Sequence, residues 1–283
     1  MNKDYEVVIR PNRGWFDFDF RELWHYRDLL FIFVRRDFVS TYKQTALNYA
    51  WFIIQPLLIT LVFTLVFSKA IKIPTNGLPP VLFYLSGLLL WSYFVRCLTS
   101  VSNCLKSNAD LLGKAYFPRL IIPISSLFSN FWTLAVQLAV FIGFCFYYKY
   151  FTAAASLIQP NEILFMLPLL IFQTAALAMG IGLWVTSLTV RYRDLQHLTS
   201  FVLQLWMFVT PVIYPASLIP EKWSFITAIN PMAHMIEMFR HSFFGTGGIH
   251  WNHYGLSLAT AALFFLSGIF IFNRVEQTFV DTI

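Results

Sequence analysis

Charged residues are scarce in this chain: Asp, Glu, Lys and Arg make up only 12% of its 283 residues, whereas about 25% is usual for a soluble domain. In their place, 58% of the residues are hydrophobic and 19% are aromatic. This composition excludes an ordinary soluble domain and indicates an integral membrane protein. The net charge of +6 does not indicate nucleic-acid binding, because the basic residues are spread over several loops and form no single stripe.

Cysteine is equally rare. Cys97, Cys104 and Cys145 are odd in number, lack C-x-x-C spacing and lie in or beside apolar runs. We therefore expect small core residues at these positions, with no disulfide or zinc framework. The phosphate-binding pattern G-x-x-x-x-G-K-[ST] is also missing from the sequence, so this chain is not expected to bind ATP in that way, and we predict no cofactor on it.

Acidic residues are absent from the middle of every long apolar run, although carriers driven by protons or sodium usually keep such a group there. A transporter powered by this chain alone is therefore disfavoured. The first 48 residues also contain no short apolar core followed by a small-residue cleavage site, so no cleavable signal peptide is expected.

Six apolar runs are long enough to cross a membrane, which takes about 20 residues each. They cover residues 49–67, 81–105, 120–148, 163–190, 198–216 and 254–272. We therefore predict an all-α integral membrane protein. One six-span domain, residues 49–272, follows an N-terminal segment, residues 1–48, and precedes a tail, residues 273–283.

Lys and Arg are distributed unevenly between the connecting segments. Fifteen of the twenty lie in the N-terminal segment, in the tail and in the loops after spans two and four, whereas five lie in the other three loops. By the positive-inside rule, this places both termini and those two loops in the cytoplasm. Arg96 is counted with the loop after span two, because it lies near the inner edge of that span, where its side chain can reach the surface.

The N-terminal segment contains an amphipathic pattern, RELWHYRDLLFIFVRRDF, from Arg21 to Phe38. Its mixture of large apolar and basic side chains is typical of a helix that lies in the headgroup layer on the cytoplasmic side. Such a helix can serve as an anchor only, or it can form a collar that also touches a cytoplasmic partner.

Two predicted cytoplasmic loops combine charges with apolar side chains. The loop KSNADLLGKAYFPRLIIP, residues 106–123, predicts a short helix at residues 109–112 that Asn108 caps and Gly113 ends. The second loop, RYRDLQH, covers residues 191–197. Both patterns can reflect only the usual excess of Lys and Arg in cytoplasmic loops, but the apolar side chains among the charges favour a surface that docks a partner.

The stretch TPVIYP carries two prolines inside an apolar run, Pro211 and Pro215. Proline lacks a backbone N–H and disrupts the preceding helical turn, so this pair predicts that span five ends early. We expect the chain to continue into a helical hairpin, residues 217–245, that dips into the outer half of the bilayer. Irregular backbone is tolerated there only where protein or a water-filled cavity shields it.

The hairpin has clear helix signals. Glu221 to Ile229 can form a first short helix, Asn230 followed by Pro231 predicts the start of a second, and Gly245 predicts its end.

Four charged residues in the hairpin, Glu221, Lys222, Glu237 and Arg240, are expected to face water. Each charge would otherwise cost about 2.5–3.5 kcal/mol near the bilayer centre.

His234, Glu237 and His241 lie on one face of the second hairpin helix, with His250 and His253 following. Three such side chains can hold zinc or serve acid–base catalysis, but no second motif supports either chemistry. We prefer a polar stripe that faces a wet cavity, in which Glu237 pairs with Arg240 one turn along.

Five stretches in a fixed order resemble the permease subunits of ABC-type polysaccharide exporters, the Wzm-like O-antigen permeases and their capsule and teichoic-acid relatives. They are RRDFVSTYKQTALNYAWFIIQPLLITLVFTLVFS (35–68), LLGKAYFPRLIIP (111–123), RYRDL (191–195), TPVIYP (210–215) and NPMAHMIEMFR (230–240). The resemblance covers nearly the whole chain. It implies a homodimer of six-span subunits in a bacterial inner membrane. It also implies that this chain has no enzymatic activity of its own.

The resemblance also implies partners and a substrate. Two copies of a separate ATPase subunit would bind ATP and Mg, and a polysaccharide carried on a polyprenyl pyrophosphate lipid would cross between the two permease copies.

Four sets of candidate residues follow from the motifs and the resemblance. The set expected to couple to the ATPase is Asp110, Leu111, Lys114, Tyr116, Phe117, Arg191, Arg193 and Asp194. The set expected to meet the lipid pyrophosphate at the inner surface is Arg35, Arg36 and Lys43. The aromatics expected to line the channel are Tyr49, Trp51, Phe52, Trp206, Phe208 and Tyr214. The set expected at an outer gate is Pro211, Pro215, Asn230, Pro231, Glu237 and Arg240.

Two alternatives stay open on the sequence. A permease of the same architecture can export a drug, haem or a lipid. A membrane-embedded enzyme can act on lipid-linked sugars through the face formed by His234, Glu237 and His241.

Overall fold

The computed structural model describes residues 24–42, 50–112, 117–189, 192, 194–248 and 250–279. In these ranges the chain is helical, apart from turns and short connections, and contains no strand. The helices are α1 (Arg27–Tyr42), α2 (Trp51–Phe63, continued by a π-helix, Thr64–Ala70), α3 (Pro80–Ser102), α4 (Cys104–Ser107), α5 (Ala109–Leu112), α6 (Ile121–Phe151), α7 (Leu167–Thr189), α8 (Leu195–Val209), α9 (Ser224–Ile229), α10 (Pro231–Phe244) and α11 (Trp251–Phe279).

Five helical stretches within the described residues are long and apolar enough to cross a membrane. They are Trp51–Ala70, Pro80–Ser102, Ile121–Phe151, Glu162–Thr189 and Trp251–Val275. Each overlaps one of the predicted spans one to four and six, because long uninterrupted apolar runs leave the backbone no alternative to a helix in a bilayer.

The predicted fifth span, residues 198–216, differs from the structure. Helix α8 begins at Leu195 and ends at Val209, so the extension to residue 216 is wrong. Its 15 residues rise roughly 22 Å, which is less than the bilayer core of about 30 Å.

Helix α3 lies at the centre of the bundle. It starts with Pro80 at its first turn, where a missing N–H costs nothing, and nearly every side chain from Leu82 to Leu98 is buried. Helices α2, α6, α7, α8 and α10 all contact it.

Helices α7 and α11 pack most closely against each other, because Gly180 faces the backbone of Phe264, and Gly268 faces Gly180. The three cysteines are buried and unpaired, which confirms their prediction as core residues.

Arg96, on α3, was predicted to extend its side chain to the surface, but the structure shows the side chain turned to the neighbouring helix α6. Its guanidinium donates to Gln137 Oε1 on α6 at 2.7 Å and to Ser92 Oγ at 3.1 Å. Gln137 is 3% exposed, so the side chain of Arg96 joins two helices within the bundle.

Helix α1 lies against the start of α6. Phe33 packs edge-on against Phe117 with ring centroids 5.7 Å apart, and Arg36 donates to Asn108 Oδ1 at 2.7 Å. The predicted amphipathic helix is therefore present as far as residues 24–42 are described, and its inner face is fixed to the connection between α3 and α6.

Candidate functional site

The chain changes direction at Thr210–Pro215, a segment that we call the break. Thr210 has φ −95° and ψ 138°, an extended conformation that is favoured for a residue before proline. Pro211 cannot continue the helical hydrogen bonding, so α8 ends at Val209. The prolines therefore end this helix, and the backbone oxygens that follow need partners from elsewhere in the fold.

Asn230 holds the break from one side. Its Oδ1 accepts from Met232 N at 3.1 Å, which caps α10, and from Trp206 Nε1 at 3.2 Å. Its Nδ2 donates to Thr210 Oγ1 at 2.9 Å. The predicted helix start at Asn230 and Pro231 is confirmed, and the same amide also ties α10 to the end of α8.

Arg240, ten residues further along α10, holds the break from the other side. Its Nη1 donates to Pro211 O and its Nη2 to Val212 O, both at 2.7 Å. Nη2 also donates to Phe83 O at 3.2 Å and Nε to Ser86 Oγ at 3.3 Å, both on α3. The guanidinium carbon lies 3.7 Å from the centroid of the Phe83 ring.

This position corrects the prediction that Arg240 faces water and pairs with Glu237. Arg240 is only 5% exposed, and its four hydrogen bonds all go to uncharged oxygens. The guanidinium remains charged at neutral pH, because arginine is not deprotonated in proteins. A buried cation is tolerated here because every side of it meets an oxygen or an aromatic face.

A cavity of about 350 Å³ lies beside the clamp that Asn230 and Arg240 form. Its wall includes Arg240, Phe83 and Pro215, and it also includes His234, Glu237, His241, His250, His253, Asn76 and Ser217. The predicted polar stripe therefore does face a cavity.

The ionisable groups of the cavity perturb one another. His234 Nε2 lies 3.2 Å from Ala228 O, and Nδ1 lies 4.0 Å from Glu237 Oε2. Burial lowers the pKa of His234, and burial raises the pKa of Glu237 despite the opposing charge of Arg240.

His241 does not join His234 and Glu237 in one constellation. Its Nδ1 lies 2.9 Å from Gly247 O and 3.2 Å from Thr246 O, so the ring is directed to the loop after α10. In the described part of the chain, no three His, Cys, Asp or Glu side chains are grouped closely enough to hold a metal ion.

At the opposite end of the bundle, which we call the loop end, polar side chains join α8 to the connection between α3 and α6. Gln196 Nε2 donates to Asn103 Oδ1, and Lys106 Nζ donates to Gln196 Oε1 at 3.2 Å. Asn108 also lies here, where its Nδ2 donates to Cys104 O at 2.9 Å. Its side chain thus binds α1 and α4, although α5 forms at the residues predicted for it.

The predicted docking residues divide into two groups at the loop end. Asp110, Leu111 and Asp194 are exposed. Phe117 is 6% exposed beneath Phe33, so it supports the connection from within and is not available as an exposed anchor. The remaining members lie outside the described residues; they are Lys114, Tyr116, Arg191 and Arg193.

The predicted pyrophosphate-binding set is also divided. Arg35 is exposed, whereas Arg36 is bound to Asp37 at 2.8 Å as well as to Asn108. Lys43 lies outside the described residues. Arg36 is therefore engaged by two side chains, although its own side chain remains 38% exposed.

The predicted channel aromatics occupy different environments. Trp51 is 43% exposed and Phe208 56% exposed. Phe52 is buried, and Trp206 packs edge-on against Trp91 and Phe94. The Tyr214 hydroxyl donates to Phe208 O at 2.9 Å, and Tyr49 lies outside the described residues. Phe52 is therefore covered by the bundle itself, and Trp206 is partly covered.

Sequence reasoning missed the partners of the clamp and of the loop end. The sequence pattern showed only an apolar span at Phe83, Ser86 and Gly87. Two adjacent small residues in such a span, here Ser86 and Gly87, are nevertheless a sign of close packing. Asn103 and Gln196 carried no signal, because polar residues at the edge of a span are ordinary.

Comparison with known proteins gives a consistent set of relatives. Residues 28–244 match the sequence profile of the family described as ABC-2 type transporter. An O-antigen export system permease protein RfbA of Klebsiella pneumoniae is 27% identical over 255 residues, which are 90% of this chain and 94% of that protein. The protein of the same name from Myxococcus xanthus is 29% identical over 226 residues, 79% of this chain and 83% of its own length.

A further relative is the capsule polysaccharide export inner-membrane protein CtrC of Neisseria meningitidis. It is 22% identical over 250 residues, which are 86% of this chain and 89% of that protein.

Proposed function

This chain belongs to the ABC-2 type transporter family, and we propose that it is the membrane subunit of an ATP-driven exporter of lipid-linked polysaccharide. The names of the relatives support an O-antigen or capsule polymer as the substrate. Matches that cover most of both chains support a function of the whole subunit.

The proposed topology has six spans with both termini in the cytoplasm of a bacterial inner membrane. Helix α8 is proposed as the fifth of these spans and brings the five long helices to six. Because α8 is shorter than the bilayer core, the break and α10 are proposed to complete the crossing, as a re-entrant hairpin in the outer leaflet. The excess of Lys and Arg in the N-terminal segment and in the loops after spans two and four supports this orientation. It places the loop end in the cytoplasm and the break outside.

A separate ATPase subunit, with ATP and Mg, is proposed to dock at the loop end. Asp110 and Leu111 on α5 and Asp194 before α8 are exposed there. Lys114, Tyr116, Arg191 and Arg193, which lie outside the described residues, are close to them in the sequence. An apolar side chain that is 37% exposed amid charges, such as Leu111, is typical of a docking surface.

The exporter is proposed to be a homodimer in which α2 and α8 face a channel between the two copies. Both helices leave long apolar faces uncovered: Leu58, Leu61 and Val62 on α2 and Phe201, Leu205 and Phe208 on α8 are each 50% exposed or more. Of the aromatics predicted for the channel, Trp51 and Phe208 offer free faces to sugar rings.

The lipid pyrophosphate is proposed to arrive near Arg35, close to the start of the first span. A guanidinium can hold two phosphate oxygens through parallel hydrogen bonds, and Lys43 can add a second charge. The hairpin is proposed to act as an outer gate between polymers, with Pro211, Pro215, Asn230 and Pro231 setting its shape.

The observation that carries this proposal is the family match over residues 28–244 together with relatives that export polysaccharides. Its test is a producing strain that lacks this chain. The polymer should accumulate on its lipid carrier inside the cell and return to the surface when the gene is restored. A polymer that reaches the surface in normal amount without this chain would exclude the proposed role.

A further inference from the structure

The guanidinium of Arg240 connects three separate parts of the fold. It lies on α10, and it donates to two consecutive carbonyls in the break and to two oxygens of α3. We propose that Arg240 is a positioning residue that latches α10 and the break onto α3, and that Gly87 is the position on α3 that lets this latch engage. This inference rests on the proposed function, because the latched state is the closed state of the outer gate.

Gly87 leaves the space that the latch occupies. A Cβ atom at this position would lie 2.6 Å from Arg240 Nη2 and 2.9 Å from Val212 O. Both distances are below 3.0 Å, which real Cβ contacts essentially never reach. Even alanine would therefore push apart the donor and the acceptor of the same hydrogen bond.

The geometry also requires arginine rather than any cation. Pro211 O and Val212 O each receive a separate N–H at 2.7 Å, while the planar group stacks on the Phe83 ring. A lysine ammonium is a compact point charge that cannot cover an aromatic face and also hold two carbonyls on one side and α3 on the other.

Glu237 offers the guanidinium a second partner. It lies one turn before Arg240 on the same helix, and both side chains border the cavity. Residues three apart on a helix are close enough to pair. When α10 separates from α3, the guanidinium can exchange the neutral oxygens of the break for this carboxylate, so the latch has two defined arrangements.

A buried reporter thiol tests the latch in the purified full-length protein. Val212 is fully buried, and Val212→Cys changes its volume little. The reporter is built in a variant without Cys97, Cys104 and Cys145, and its rate of reaction with a charged maleimide is measured in detergent. We expect Gly87→Ala and Arg240→Lys each to raise this rate about tenfold, as an opened two-state element would.

Gly143→Ala is the matched control, because Gly143 also lies within a spanning helix but has nothing within 4 Å of a Cβ at its position. This control should leave the rate unchanged. Combining Gly87→Ala with Arg240→Lys should raise the rate no further than the stronger single variant does, because both substitutions remove the same contact. Rates that multiply would show two independent packing defects and would overturn the latch.

Glu237→Gln gives a test that a merely structural arginine would not pass. In the Gly87→Ala background it removes the alternative partner, so the rate at Val212→Cys should fall back toward that of the parent. If Gly87→Ala yields no folded protein, Arg240→Lys carries the same comparison, since it needs no space on α3. An unchanged rate in both latch variants would refute the proposal.

These measurements need neither the ATPase nor a polymer, so they separate the latch from the proposed function. A parent protein that fails to export, with a latch that responds as expected, would reject only the transport role. Normal export with an unresponsive reporter would reject only the latch.

Discussion

Helix α8 is held at its two ends in different ways. At the break, its contacts run through Thr210, Asn230 and Arg240, each of which is 6% exposed or less. At the loop end they run through Gln196, Asn103 and Lys106, which are half-buried or exposed. Hydrogen bonds shielded from water are costly to break, whereas exposed ones exchange readily with solvent. The comparison indicates a helix fixed at one end and adjustable at the other.

The difference fits the roles proposed for the two ends, which are an outer gate at the break and a docking surface for the ATPase at the loop end. A gate that must stay shut between substrates benefits from a buried, fully satisfied polar cluster. A surface that responds to a partner subunit benefits from contacts that rearrange at little cost.

Arg240→Met should be the most destabilising single change considered. It leaves Pro211 O and Val212 O buried without donors, and each unsatisfied buried group costs about 1–3 kcal/mol, so we expect a loss of about 2–6 kcal/mol. The free energy of unfolding is measured by titrating the purified protein with SDS. Lys222→Met is the control, because Lys222 is an exposed cation at the same end; a loss equal to that of the control would remove the basis of the comparison.

Asn230→Ala should come next, at about 1–3 kcal/mol, because it removes a helix cap and the contacts to Trp206 and Thr210 together. Asn230→Asp keeps the acceptor oxygen and should recover part of this loss. Equal losses in the two variants, measured in the same titration, would show that the cap and the Trp206 contact contribute nothing.

Gln196→Ala should change the free energy of unfolding by less than about 1 kcal/mol, since its partners can bind water instead. Its effect should appear in coupling: less polymer exported for each ATP hydrolysed by the assembled complex. Ser200→Ala, one turn along α8 and exposed, is the control and should leave this ratio unchanged. A large stability loss with an unchanged ratio would reverse the roles assigned to the two ends.

The smallest effect should be a dependence on pH at the cavity. Burial lowers the pKa of His234 below its ordinary value of 6.5, so the folded protein binds fewer protons than the unfolded chain and loses stability as pH falls below 6.5. Glu237 acts in the opposite direction, because its raised pKa lowers stability as pH rises from its ordinary value of 4.5.

His234→Gln should therefore flatten the decline of the thermal midpoint below pH 6.5, and Glu237→Gln should leave that decline in place. A decline that persists unchanged in His234→Gln would assign it to other groups.

Local signals in the sequence predicted the helices well. The apolar runs gave five spanning helices, Asn230 and Pro231 gave the start of α10, and Gly245 gave its end in a left-handed conformation, φ 64°. These features depend on a few neighbouring residues and on the bilayer, so the sequence contains their causes.

The destinations of polar side chains were not predictable in the same way. Arg240 was expected in water because an isolated cation is costly to bury, yet its partners lie 28, 29, 154 and 157 residues away in the chain. Phe117 and Asn108 likewise differ from their predicted roles as exposed anchor and helix cap, because Phe33 of α1 packs on Phe117 and Arg36 of α1 binds Asn108. Such positions depend on which distant helices meet, and no local pattern carries that information.

The most direct test of this account is ATP-dependent movement of polymer in a reconstituted system. Proteoliposomes are prepared with this chain, its ATPase subunit and a polysaccharide on its polyprenyl pyrophosphate lipid in the outer leaflet, and the fraction protected from an added glycosidase is followed. For complexes with the ATPase facing outward, the account predicts that ATP raises the protected fraction and that this rise is lost with an ATPase variant unable to hydrolyse ATP. Protection that is the same with and without ATP in a correctly assembled complex would contradict it.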